Sequence, residues 1–194
     1  MVSRRALLPG LVLPALVLPA VALPSSPPAA AQAPDPWGAL RGGGHVALMR
    51  HATAPGGGDP PGFRLDACGT QRNLPDAGRA EAARIGGAFR AAGLAALPVF
   101  SSQWCRCLET ARLLGLGPVA PLPALNSFFG NGGEREAATA ALRRWIADQA
   151  PRGAAVLVTH QVNVTALTGI FPAPGEVAVL RADSSVLGRW RLPG

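Results

Sequence analysis

The sequence contains no lysine; its 18 cationic side chains other than histidine are all arginine, and they face 11 acidic residues for a formal charge of +7. That absence excludes a phosphate-cradling P-loop, because no Gly-Lys-Ser/Thr follows Gly42-Gly43-Gly44. Aromatic residues are also scarce, at 5%. The arginines are scattered and no basic stripe is interleaved with aromatics, so no nucleic-acid partner is expected. A GC-rich coding bias accounts for the excess of alanine, glycine, proline and arginine.

Uninterrupted apolar runs long enough to span a bilayer are missing as well. The stretch from Ala6 to Leu23 is broken by Pro9, Pro14 and Pro19. Each proline would cost a spanning helix about 3 kcal/mol, and no stop-transfer charge cluster follows. With Arg4 and Arg5 before it and Ala29-Ala30-Ala31 after it, the segment reads as a secretory signal over residues 1–33, cut after Ala31. Cleavage after Ala33 also satisfies the small-residue rule but leaves Pro34 at the new N-terminus. Ser3-Arg4-Arg5-Ala6-Leu7-Leu8 fits a twin-arginine signal loosely. The expectation is an exported protein, periplasmic in a Gram-negative cell, sent by the Sec or twin-arginine route and left without a stable membrane anchor. Residues 34–194 then make one domain.

Cysteine is limited to Cys68, Cys105 and Cys107. In an oxidising compartment this count predicts one disulfide and one thiol. The bridge would run from Cys68 to Cys105 or Cys107. Cys105 is favoured on the expectation that position 107 faces away from the core and reaches the loop less well. The alternative is a zinc site from all three cysteines and a histidine, but Cys-x-Cys is not the usual C-x₂₋₄-C spacing.

Residues 45–49 read as a buried strand. Residues 54–73 read as loop, because Gly56-Gly57-Gly58-Asp59-Pro60-Pro61-Gly62 cannot hold a helix or a central strand. Helices are predicted over 76–92, 104–114 and 137–149, and another begins at 161. The first carries Ile85 and Phe89 one turn apart and ends at Gly93; the third carries Leu142, Trp145 and Ile146 on one face. Short strands are predicted at 98–101 and at 154–159, the latter a nearly continuous apolar run of the kind found in central parallel strands. Residues 176–181 and 186–192 form a closing pair turned at Asp183-Ser184-Ser185. Residues 33–40 read as a proline-containing lead-in. This alternation predicts an α/β domain, a three-layer sandwich around a mostly parallel sheet.

In such a sheet ligands bind beyond the carboxyl ends of the strands. His51 follows the first strand and His160 a later central one. If the two strands are neighbours, both imidazoles enter one crevice, where Arg50 and Arg106 can join them. Guanidinium groups suit bidentate contact with phosphate oxygens. Ser102, or the backbone amides opening the helix at Trp104, could assist. A histidine nucleophile must be neutral at the attacking nitrogen, with its other nitrogen donating, most simply to a backbone carbonyl. His45, lacking a partner motif, reads as structural.

Arg50-His51-Ala52, then Ser101-Ser102-Gln103-Trp104-Cys105-Arg106 with Glu109-Thr110-Ala111, then Val158-Thr159-His160, together resemble the motifs of the histidine phosphatase superfamily, the phosphoglycerate mutase-like fold. Leu74-Pro75-Asp76-Ala77-Gly78-Arg79 resembles that family's helix opening. The resemblance covers residues 45 to about 190. It implies His51 as the phosphorylated nucleophile, with Arg50, Arg106 and His160 as the phosphate pocket; with two arginines and a histidine around the phosphate, no metal or other cofactor is expected. The proton donor departs from the family pattern. Ala124-Leu125-Asn126-Ser127-Phe128-Phe129-Gly130 holds no carboxylate where mutase-type members carry glutamate. Gln161 stands where other members have aspartate after the second histidine. Asp59 and Glu176 are the remaining candidates. The expected activity is a phosphomonoester hydrolase with an open, capless site, acting on a phosphorylated small molecule or an envelope glycan. The alternatives are a protein-phosphohistidine phosphatase and a phosphate-binding module without turnover.

Overall fold

The structure, a computed structural model, describes residues 35–192. The proposed signal segment and its cleavage sites lie outside the described residues. Six strands form one sheet: β1 (His45–Arg50), β2 (Val99–Ser101), β3 (Val119–Pro121), β4 (Ala155–Thr159), β5 (Val177–Arg181) and β6 (Val186–Trp190), in the spatial order β3-β2-β4-β1-β5-β6. The pairs β1–β4, β2–β4 and β2–β3 are parallel, while β5 runs antiparallel to both β1 and β6. The helices are α1 (Pro36–Gly42), α2 (Asp76–Ala91), α3 (Cys105–Leu114), α4 (Arg135–Gln149) and α5 (Gln161–Thr168).

Alternation along β1 and β4 divides the core between the two sheet faces. Ala47, Met49, Val156 and Val158 pack with Ile85 and Phe89 of α2 and Ala111 and Leu114 of α3. Val46, Leu48 and Leu157 pack instead with Leu142 and Ile146 of α4 and Val164 and Leu167 of α5. This gives the expected three layers. Helix α2 lies close against α3 because Gly86 has no side chain; a Cβ there would collide with the Leu114 carbonyl.

Two elements escape the sequence pattern. The lead-in contains α1, whose amide at Trp37 is capped by Asp35 Oδ1 at 3.0 Å, with Pro36 in its first turn. Trp37 fixes it by edge contacts with Phe89 and Trp190, each at 5.0 Å between ring centroids. The edge strand β3 has three residues, two of them exposed, and no periodicity to read.

Disulfide Cys68–Cys105 joins the long loop after β1 to the first residue of α3, with Cα atoms 5.7 Å apart. The favoured pairing stands, but its reason does not. Cys107 points into the core, fully buried, rather than away from it. The bridge also removes two of the three thiolates that the zinc alternative requires.

Candidate active site

Parallel pairing of β1 with β4 sets Arg50 beside Thr159, so His51 and His160 are the next residues on adjacent strands. Their rings lie 5.6 Å apart, centroid to centroid, at 72°. The chain around His51 is held on every side. Its amide donates to Thr159 O at 2.9 Å and its carbonyl accepts from Gly175 N at 3.2 Å. Ala52 N donates to Thr110 Oγ1 at 3.2 Å, and Thr53 N donates to Glu81 Oε2 at 2.7 Å.

His51 Nδ1 lies 2.7 Å from the Ala52 carbonyl, which can only accept, so this nitrogen carries the proton. Nε2 is then the lone-pair nitrogen, and Arg106 Nε donates to it at 3.3 Å. Burial above all, with the charges of Arg106, Arg50 and Arg72 and against the opposing pull of the Ala52 bond, brings the imidazole pKa down to about 3. The ring is therefore neutral near pH 7.

The same reasoning fixes His160. Arg106 Nη2 lies 3.3 Å from its Nδ1, and a guanidinium can only donate. Nε2 therefore carries the proton and donates to Ser102 Oγ at 2.8 Å. Ser102 in turn reaches Asn126 Oδ1 at 3.3 Å, which also accepts from Gln103 N at 2.9 Å. Burial first, then the neighbouring His51 and the arginines, hold His160 well below the ordinary imidazole range. It is a neutral, oriented group, not a standing cation. Ser102 is buried behind this histidine and does not line the cleft. The Cys105 amide is also taken, donating to Gln71 Oε1 at 2.9 Å.

Arg106 joins the two histidines and is 3% exposed. Its Nη1 donates to Asp59 Oδ1 at 2.6 Å. Asp59 Oδ2 accepts from Trp104 Nε1 at 2.8 Å. Burial pushes this carboxyl up, but the bonds from Arg106 and Trp104 outweigh it and leave the group below its usual range. Arg50 enters beside His51, with Nη1 on Pro172 O at 3.0 Å. Burial, then repulsion by Arg106, lowers its pKa.

Four predicted residues, Arg50, His51, Arg106 and His160, thus meet in one cleft of about 120 Å³, with Asp59 at its wall. That volume is small beside the roughly 300–1,000 Å³ of drug-sized ligand sites. Glu176 is not there. Its Oε1 accepts from Arg189 Nε at 2.6 Å and its Oε2 from Ala173 N at 2.9 Å. Only its backbone touches the site, the carbonyl accepting from Arg50 N at 3.2 Å.

Arg72 was not foreseen. It lines the cleft, donates from Nε to Gly58 O at 2.9 Å and binds the Ala54 carbonyl through Nη1. Burial and then the charge of Arg106 lower its pKa. The cleft wall thus carries three guanidinium groups and one carboxylate. This excess of positive charge suits a multiply charged oxyanion. Phe129, also unforeseen, stands at the rim.

No family model matches the sequence, and no curated protein matches it. Solved structures do. SixA from Agrobacterium tumefaciens superposes with a TM-score of 0.53 at 20% identity, over 76% of this chain and 98% of that one. YhfR of Bacillus stearothermophilus gives 0.53 at 16% identity, covering 73% and 93%. The protein histidine phosphatase SixA in complex with tungstate gives 0.50 at 17% identity, covering 73% and 92%. The chain has the histidine phosphatase fold, phosphoglycerate mutase-like.

Proposed function

We propose that this chain, built on the histidine phosphatase fold, hydrolyses phosphomonoesters through a phosphohistidine on His51. The observation that carries the reading is the 2.7 Å contact of Nδ1 with the Ala52 carbonyl, which leaves Nε2 as a neutral base facing Arg106. In the first step Nε2 attacks phosphorus and the ester P–O bond breaks, its electron pair leaving on the ester oxygen. In the second, water attacks phosphorus and the N–P bond breaks. Orthophosphate departs and the ring returns neutral. Arg50, Arg72 and Arg106 offset the charge on the equatorial oxygens, and His160, fixed by Ser102, holds Arg106 in place beside them. Phosphoryl transfer needs little beyond such positioning and charge.

A tungstate-bound SixA supports an oxyanion occupant for a site of this fold. Proteins of that name favour a second substrate, phosphohistidine on a protein. The first reading places the substrate, a phosphorylated small molecule or an envelope glycan, outside the cytoplasm. The disulfide supports such a compartment, and among the described residues no helix is long and apolar enough to cross a membrane.

The test is trapping. Wild type exposed briefly to a ³²P-labelled aryl phosphate and quenched in alkaline detergent should carry a label that is stable in base and lost in acid. His51→Ala should carry none and should not turn over. Full activity in His51→Ala would end the phosphohistidine route. Saturable oxyanion binding with neither label nor turnover in wild type would leave the non-catalytic module.

A further inference from the structure

Two large apolar side chains stand out on the described surface, Phe129 at 64% exposure and Phe171 at 72%. Isolated exposed apolar residues need no explanation. Phe129 differs because it lines the mouth of the arginine cleft. Its loop is anchored at both sides. Phe128 is buried, Asn131 N donates to Phe128 O at 2.9 Å, and Phe129 N donates to Ser127 Oγ at 3.2 Å. The anchoring turns one phenylalanine inward and presents the next at the rim. Gly56-Gly57-Gly58 lines the same cleft. A Cβ on Gly58 would come within 3.3 Å of Phe129 Cε1, so the ring meets bare backbone at its edge and keeps its remaining surface free.

We propose that Phe129 is a specificity residue that selects aryl phosphomonoesters by receiving the aromatic ring of the ester group. This rests on the reading of the cleft as a phosphatase site. With the phosphoryl group on the arginines, a cleft of about 120 Å³ leaves little room for the rest of the ester. The atoms next to the ester oxygen must then lie at the mouth, where Phe129 is the apolar surface among residues that are otherwise polar, charged or glycine, Val162 apart. The chemistry agrees. Asp59, the one carboxylate at the cleft wall, is engaged by Arg106 and Trp104 and is poorly placed to protonate an alkoxide. A phenolate leaves without such help.

The experiment compares 2-naphthyl phosphate with acetyl phosphate, whose leaving oxygen is also weakly basic but carries no ring. In Phe129→Ala the ratio of their kcat/KM values should fall about three- to tenfold, the range of one aromatic contact, and Phe129→Trp should restore it. In wild type, phenylphosphonate should inhibit more tightly than methylphosphonate, and Phe129→Ala should narrow that gap by a similar factor. These inhibitors read the rim without any turnover. Hydrolysis of both substrates with no ring preference, or a ratio indifferent to Phe129→Ala, would overturn the role of Phe129 and leave the phosphatase reading intact. A phenylphosphonate preference without hydrolysis would do the reverse. Faster turnover of a sugar phosphate than of the aryl ester would also overturn it.

Discussion

Asp59 Oδ1 sits 2.6 Å from Arg106 Nη1, so a carboxylate occupies the guanidinium that also touches both histidines. The pair is nearly closed off from solvent, with side chains 17% and 3% exposed. An arriving phosphate must share Arg106 with this carboxylate or displace it, and the two anions repel.

We therefore predict that Asp59→Asn tightens inhibition by orthophosphate or tungstate by roughly tenfold, the order of one charge-assisted hydrogen bond. The inhibition constant measured with an aryl phosphate checks it. Weaker inhibition in the variant would mean that the carboxyl belongs to the bound state as a protonated donor. The same variant separates roles by ester class. A general acid contributes about 10²–10⁴-fold where the leaving oxygen is basic. Selective loss of glycerol phosphate hydrolysis would identify Asp59 as that acid. Its retention would pass the role to water or to Gln161, which also lines the cleft.

The fold's centre was legible because β1 and β4 are continuous apolar runs, and because the strand-end positions of His51 and His160 follow once those strands are neighbours. Glu176 shows what a linear reading cannot see. It precedes β5, and since β5 is antiparallel to β1, its backbone does reach the histidine edge of the sheet. Which side of the strand its carboxylate takes depends on β6, where Arg189 claims it. Arg72 was hidden for a different reason. It lies in a polar loop without periodicity, and only tertiary closure by Cys68–Cys105 and by the Gln71 contact with Cys105 N brings it to the cleft. Cys107 inverted its expected orientation because α3 buries Arg106, Cys107, Thr110 and Ala111 together, a stripe that mixes site and core.

That disulfide ties the wall carrying Asp59 and Arg72 to the helix carrying Arg106. Replacing both Cys68 and Cys105 with serine should cost about 2–4 kcal/mol of stability, read as a lowered urea midpoint. It should also raise KM for an aryl phosphate, since the loop loses its covalent anchor beside Trp104. Thiol titration of wild type unfolded without reductant should give one free thiol, from Cys107. Three thiols would show that the bridge does not form in the protein.

Acid should weaken the fold through its histidines. In the folded chain His51 stays neutral down to about pH 3, because burial and the surrounding arginines oppose its cation, and His160 is shifted the same way. In the unfolded chain both titrate near the ordinary imidazole value of about 6.5. At pH 8 neither state binds these protons and the two groups contribute no pH dependence. Between roughly pH 6.5 and pH 3 the unfolded chain binds protons that the folded chain refuses, so stability falls as pH falls through that window. Asp59 adds to the loss nearer its own lowered pKa, as its bonds to Arg106 and Trp104 are forfeited on protonation. The measurement is the urea midpoint at pH 8, 6 and 4.5, for wild type and for His160→Asn, which removes one of the two imidazoles. The wild-type midpoint should drop more steeply below pH 6.5 than that of the variant. Saturating tungstate should stabilise wild type at each pH through mass action. Parallel pH dependences for the two proteins would show that His160 titrates alike in the folded and unfolded chain, and that below about pH 6.5 the cleft contains an imidazolium before any oxyanion arrives.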